Sequence, residues 1–221
     1  DYNKTNRTFA TALDEIFGRL LCNRTLEERI TRSVLSEDMI ADEASHELAE
    51  LRRGVGRQPG DLPALWGALL ADMPEQLQGS NGPSKAEWAV YTALTLFALH
   101  QQGEVGVSMN QPGRTLGGAV RQLAKKTSAG QDWTESSVLR RFNALATADS
   151  MPEVSHHLRG MIQLLRREGI PLDYPQLAAD LYELQCTDPR YAQTPANVRL
   201  RWGQDLYRDS KPASEENEKE N

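Results

Sequence analysis

Apolar side chains along this chain recur at intervals of three and four residues, the spacing that places them on one face of an α-helix. Hardly any stretch alternates apolar and polar residues over the length of a strand. The first apolar stripe runs from Phe9 to Leu20, and the last ends at Leu206. The pattern predicts an all-α protein, a compact bundle of about eight to ten helices.

Residues that cap helix N-termini precede many of these stripes, several with the capping-box spacing of Ser or Thr before Glu. The residues predicted to open helices are Thr25, Asp61, Ser84, Thr115, Thr134, Ser150 and Thr194. The segment after Ser84, residues 88–99, is apolar almost all round. A helix with no polar face must be surrounded by protein, so this segment predicts a central buried helix.

The composition fits a globular protein: 221 residues, of which 39% are hydrophobic and 25% charged. The two cysteines, Cys22 and Cys186, match no zinc, redox or disulfide pattern, which indicates a reduced, cytoplasmic protein. The apolar run 88–99 has 12 residues, whereas a bilayer-spanning helix needs about 20. We therefore expect no membrane association.

The charge is unevenly distributed. The chain carries a net charge of -6, yet residues 51–167 hold 13 basic and 9 acidic side chains, a net charge of +4 between acidic flanks. Arginine supplies 19 of the 25 basic residues, and its planar guanidinium suits phosphate groups. A GC-rich genome would also favour arginine, so composition alone leaves both explanations open.

The sequence does not fully match the catalytic and cofactor-binding motifs that parts of it resemble. His46 begins a zinc-protease-like string, but Glu50 stands where the second histidine is required. The Gly54 and Gly56 pair follows a helix rather than a strand, unlike a dinucleotide-binding loop. We therefore predict no catalytic residue, no metal site and no cofactor.

Basic residues at helix ends, or on faces opposite the apolar stripes, are the remaining candidates for a binding site. They are Arg52, Arg53, Arg57, Arg114, Arg121, Lys125, Arg140, Arg141 and Arg159. Each group taken singly is also compatible with ordinary solvent-exposed surface. Phosphate binding requires several of them to converge on one surface, which only a structure can show.

An ordered series of short strings resembles the CasB family, the small subunit of Cascade, the type I-E CRISPR surveillance complex. The strings are 51–54 (LRRG), 91–101 (YTALTLFALHQ), 115–117 (TLG), 140–142 (RRF), 157–159 (HLR), 164–166 (LLR), 171–174 (PLDY) and 202–207 (WGQDLY). The resemblance spans residues 44–207, about three quarters of the chain.

The resemblance implies a non-enzymatic, all-helical subunit, present in two copies, that contacts the crRNA-binding backbone subunits and the large subunit. It also implies a role in holding the unwound DNA of the R-loop, with single-stranded target DNA as partner and the crRNA backbone as a second candidate. The basic surface of the family would fall on Arg52, Arg53, Arg114, Arg140, Arg141, Arg159 and Arg166.

The sequence thus divides into three predicted parts. Residues 1–35 form an N-terminal helical extension outside the recognised pattern, and 36–208 form the CasB-like domain, either whole or as packed lobes at 36–127 and 132–208. Residues 209–221 are polar and acidic, without a large apolar side chain, and predict a disordered tail.

Three functions compete at this stage. The first is a subunit that contacts nucleic-acid backbone, without base stacking because Trp66, Trp88, Phe142 and Trp202 all lie in apolar stripes. The second is a helical scaffold that makes only protein contacts. The third is a hydrolase whose metal site is not visible in the linear sequence.

Overall fold

The chain folds into α-helices connected by turns and short 3-10 segments. The computed structural model describes residues 2–21, 46–104 and 107–208. The α-helices are α1 (Tyr2–Leu21), α2 (46–53), α3 (Trp66–Leu70), α4 (Lys85–His100), α5 (Leu116–Thr127), α6 (Ser137–Ala146), α7 (Met151–Arg167), α8 (Tyr174–Leu184) and α9 (Thr194–Tyr207). The predicted all-α class is confirmed. Among the helices of these ranges, none is long and apolar enough to cross a membrane.

Helix α4 is the centre of the fold, as the sequence predicts. It begins with a complete capping box in which the Ser84 hydroxyl accepts from the Glu87 backbone and the Glu87 carboxylate accepts from the Ser84 backbone. Both faces are then buried, from Ala86 to Ala98 with few exceptions. Helices α7 and α8 pack against it. The apolar surface of α4 is therefore covered by protein, as a helix without a polar face requires.

Helix α9, the last helix of the described residues, packs against α5 and α8. A methyl group at Gly117 of α5 would collide with the Trp202 carbonyl oxygen, so glycine allows the two backbones to approach closely. On the other side, the buried Asp180 carboxylate of α8 accepts from the Trp202 indole at 2.5 Å and from Arg201 at 2.7 Å. These contacts fix the position of the last turns of α9.

Helix α1 packs against α8 and joins the same hydrophobic core. The Phe9 ring stacks on Tyr182 with 4.1 Å between ring centroids, and Ile16 is completely buried. The core also contains side chains from both sides of the predicted lobe boundary. The cap predicted at Thr25, the 35/36 boundary and the 209–221 tail lie outside the described residues.

Three details of the sequence prediction are wrong. Asp61 does not cap a helix: the 3-10 segment Pro63–Leu65 follows Leu62 without a side-chain cap, and the Asp61 carboxylate accepts from the Gln58 backbone instead. Helix α6 is capped by Ser136 and not by Thr134, because the segment Trp133–Glu135 forms a 3-10 turn capped by Asp132. Trp66 is 48% exposed although it lies in an apolar stripe. Helix α3 has only five residues, so Leu65 and Leu69 cover the core and the Trp66 ring is left at the surface.

Candidate nucleic-acid interface

A cleft of about 710 Å³ lies between α5, the loop before it and the end of α9. We call it the basic cavity, because four basic side chains and one acidic side chain line it. Its lining residues are Gly113, Arg114, Thr115, Gly118, Ala119, Arg121, Gln122, Lys125, Asp205 and Arg208.

Arg114 is positioned by a loop that is anchored to the start of α8. Asp173 accepts from the Gly113 backbone at 2.7 Å, and its own backbone donates to the Arg114 carbonyl at 2.8 Å. Thr115 then caps α5 through the Gly118 backbone. The Arg114 side chain lines the cleft and is exposed. Its backbone is held by Asp173 on one side and by the Thr115 cap of α5 on the other.

Arg121 forms part of the wall of the basic cavity. It is only 8% exposed and donates a hydrogen bond to the carbonyl oxygen of Arg208, just beyond the end of α9. The Arg208 guanidinium in turn lies 3.2 Å from the Asp205 carboxylate. Arg121 therefore fixes the wall and adds positive charge from a buried position, rather than reaching out to solvent.

Lys125 lies one helical turn after Arg121 and is exposed. Its ammonium group lies over the Trp133 ring, 5.8 Å from the ring centroid. This distance falls within the range of a cation–π interaction, which holds the charge near the cleft while leaving it open to solvent. With Asp205 paired to Arg208, the basic cavity keeps an excess of positive charge.

Arg57 and Arg159 belong to a second basic group, around the turn at residues 54–57. Gly56 has a φ of +80°, and a methyl group there would lie 3.5 Å from the Arg159 guanidinium. Beneath the turn, the Tyr91 hydroxyl donates to the Gly54 carbonyl at 3.0 Å. Burial raises the pKa of Tyr91 to about 12, with Asp61 adding to the shift and Arg57 opposing it.

Arg166 lies farther along α7, in a shallow cleft of about 400 Å³ that it shares with Gln163 and Arg167. Its guanidinium donates to the Gln102 side chain at 3.0 Å, which ties the end of α7 to the end of α4. His156, Arg159, Gln163 and Arg167 are exposed, as the sequence predicts for the face opposite the core.

The remaining candidates lie outside the basic cavity. Arg52 is half-buried, and Arg53 is exposed and paired with both oxygens of Glu50 at 2.9 Å. Arg140 and Arg141 on α6 are exposed, as predicted, and Arg140 donates to the Glu135 carbonyl at 2.9 Å. The structure thus brings together Arg114, Arg121 and Lys125, and it separately places Arg159 beside Gly56, the residue before Arg57.

Sequence reasoning missed Arg208 and Asp205. Both follow or belong to the string 202–207, and their spacing of three residues on a helix end would have indicated an ion pair. Their place opposite Arg121 depends on how α9 crosses α5. Within the described ranges, no three His, Cys, Asp or Glu side chains lie close enough together to hold a metal ion.

A sequence model of the family described as CRISPR-associated protein Cse2 matches residues 47–207 of this chain, well over half its length. The chain belongs to the Cse2 (CasB) family. The resemblance inferred from the ordered strings is therefore confirmed, and the chain is a CRISPR-associated protein.

Solved structures of Cse2 proteins resemble this one. CasB from Thermobifida fusca is 29% identical, with 91% of this chain and 98% of that chain covered and a TM-score of 0.64. A CRISPR-associated protein of the Cse2 family from Thermus thermophilus is 22% identical, with 91% and 97% covered and a TM-score of 0.54. CasB from M. ruber is also 22% identical, with 81% and 89% covered and a TM-score of 0.55. The last two show the shared fold alone. A search of curated protein sequences found no match.

Proposed function

We propose that this Cse2-family chain is the non-catalytic small subunit of a CRISPR RNA-guided surveillance complex, in which it holds the sugar-phosphate backbone of unwound target DNA. The observation that carries the proposal is the basic cavity. Arg114, Arg121 and Lys125 from one side and Arg208 from the other converge on a cleft whose lining includes one carboxylate. Arg57 and Arg159 add a second positive surface beside the Gly56 turn.

Such a subunit does not need to read bases. In an RNA-guided complex, base pairing supplies the sequence specificity, and the exchange of a DNA duplex for a heteroduplex is nearly balanced in free energy. A few phosphate contacts on the displaced DNA are therefore enough to shift the balance towards the open state. Each contact releases condensed counterions, with a salt slope near -0.7 per phosphate on a single strand.

The proposed setting is a cytoplasmic assembly. The partners are the crRNA-binding backbone subunits, the large subunit and a second copy of this chain, and the crRNA backbone is a second candidate for the phosphates that are bound. The net charge of -6 opposes indiscriminate binding of nucleic acid by the free chain. Affinity then arises inside the assembly, where other subunits present the strand.

Neutralising the two exposed basic side chains of the cavity tests the proposal. Arg114→Gln with Lys125→Gln, in the assembled complex, should speed dissociation of the R-loop and reduce the magnitude of its salt slope by about 1.4. The matched control is Lys85→Gln with Arg190→Gln, which removes one lysine and one arginine from exposed positions outside the cavity.

R-loop lifetime is measured across a salt series for the wild type and both double variants. An unchanged lifetime and salt slope in the cavity variant would contradict the proposal and favour the protein-only scaffold. Equal losses in the cavity variant and in the control would also contradict it, because the effect would then follow net charge and not the cavity.

A further inference from the structure

An exposed aromatic ring borders the basic cavity. Tyr207, in the last turn of α9, is 62% exposed. Two residues that line the cavity flank it in sequence, since Arg208 follows it and Asp205 precedes it by two positions. The ring centroid of Tyr207 is 5.7 Å from that of Trp133, and Lys125 lies over the same indole.

These contacts make Tyr207 part of a small aromatic and cationic surface, which we call the Tyr207 ledge: Tyr207, Trp133 and Lys125. Trp133 is half-buried and packs against the core, so it supports the tyrosine from one side. The Tyr207 ring is thereby held by a neighbour while most of its surface faces solvent. Exposed rings beside phosphate-binding charges are the arrangement with which proteins bind unpaired nucleotides.

Other exposed apolar side chains of the described residues lack this setting. Trp66 is 48% exposed, but its cleft is lined by glycine, proline and leucine residues and by the Glu87 carboxylate, with no basic residue. Leu200 is 60% exposed, yet it has no π-face on which a base could stack. Of Trp66, Leu200 and Tyr207, only Tyr207 has an aromatic face next to a positive charge.

We propose that the Tyr207 ring stacks on an unpaired base of the strand whose phosphates occupy the basic cavity. This inference rests on the proposed function and makes it more specific, because the ligand becomes single-stranded DNA with its bases present. In a duplex the base faces are covered by their neighbours, so a ring at the surface cannot reach them. The earlier prediction of backbone contact without stacking is replaced by one stacked base next to bound phosphates.

The test compares normal and abasic displaced strands in the assembled complex. For the wild type, a short abasic segment is moved along the displaced strand, and at one position the R-loop should dissociate about tenfold faster. Tyr207→Ala should show a similar loss on the normal strand and no further loss at that abasic position. Tyr207→Phe keeps the ring and should behave like the wild type, and Trp66→Ala serves as the control for an exposed ring elsewhere.

The outcomes separate this inference from the proposed function. If Tyr207→Ala has no effect, or weakens the normal and abasic complexes equally, stacking is wrong even when Arg114→Gln with Lys125→Gln weakens the R-loop. If no abasic position changes the wild-type lifetime, stacking on the displaced strand is also wrong. If the cavity variant leaves the R-loop unchanged, the proposed function itself fails.

Discussion

His100 is a buried ionisable residue at the end of the central helix. It is 0% exposed, and its Nδ1 lies 2.8 Å from the Tyr174 hydroxyl. Burial lowers its pKa to about 4, with the Ile170 backbone opposing the shift and the Arg166 charge reinforcing it. The folded protein therefore holds this imidazole neutral at physiological pH.

The depressed pKa of His100 predicts acid destabilisation. The unfolded chain binds a proton near pH 6.5 and the folded chain only near pH 4, so the unfolded state carries more protons in between. Stability from this residue is complete above pH 6.5 and falls as the pH drops towards 4, by about 3 kcal/mol in total. Denaturant unfolding followed from pH 7 to pH 4 measures the slope.

The control for this prediction is an exposed histidine. His100→Asn cannot titrate and should flatten the dependence of the free energy of unfolding on pH between 6.5 and 4. His156→Asn, at an exposed position of α7, should keep the wild-type dependence. The same slope in wild type and His100→Asn would contradict the prediction.

At the scale of elements, the crossing of α5 and α9 forms the basic cavity and depends on a glycine. Gly117 faces the α9 backbone, where an added methyl group would meet the Trp202 carbonyl and lie 2.9 Å from the Leu206 nitrogen. Backbone atoms of a packed helix cannot move aside as a flexible side chain can. The distance between the helices therefore depends on this position.

Gly117→Ala should destabilise the protein by about 1–3 kcal/mol, because the overpacked crossing must widen. Gly203→Ala is the matched variant on the partner helix, where no atom outside the neighbouring backbone of α9 lies within 4 Å of the added methyl group. It should instead stabilise the protein by up to about 1 kcal/mol, through the higher helix propensity of alanine. Chemical denaturation measures the free energy of unfolding of both variants. A change of the same sign and size in the two variants would contradict the proposed close contact at Gly117.

At the scale of the whole molecule, α1 shares its core with the rest of the chain. Ile16 is 0% exposed, and Phe9 stacks on α8. The family match begins only at residue 47, so the α1 side of these contacts lies outside the matched span. Their burial predicts that α1 and the main bundle unfold together.

Ile16→Ala should therefore lower the free energy of unfolding of the entire chain by about 2–5 kcal/mol. Circular dichroism and the fluorescence of the tryptophans, all of which lie outside α1, should report one coincident transition, shifted equally. Glu15→Ala, on the exposed side of the same helix, should cause little change. A tryptophan transition that Ile16→Ala leaves in place would instead indicate an independent N-terminal extension.

The sequence predicts the local features of this protein well, since these depend on neighbours along the chain. The capping box at Ser84 and the burial of the segment 88–99 follow from spacing alone; the box is present, and the segment is buried except for Trp88 and Leu99, which are partly buried. The spacing of apolar residues predicts burial less well where the helix is very short. The apolar stripe through Trp66 predicts burial, yet a five-residue helix buries only one side of its surface and leaves the ring exposed.

The candidate site could be predicted only in part. Periodicity and charge identified Arg114, Arg121 and Lys125, because all three follow the central helix in one segment. The other side of the surface is formed by Tyr207, at the end of α9, and by Arg208, which follows it. Both lie more than 80 residues farther along the chain. The spacing of residues along the chain cannot predict that these two segments lie next to each other.

By itself, the amino-acid sequence determined the helical class, the central helix, the family and the residues with charge suited to phosphate. These follow from patterns that repeat within a few turns of one helix. Only the tertiary structure decided which charges share a cleft, that Arg121 is part of its wall, and that Tyr207 stands exposed beside it. The reason is that helix crossings are set by packing between distant segments, such as the close approach at Gly117, and packing is a property of the folded chain.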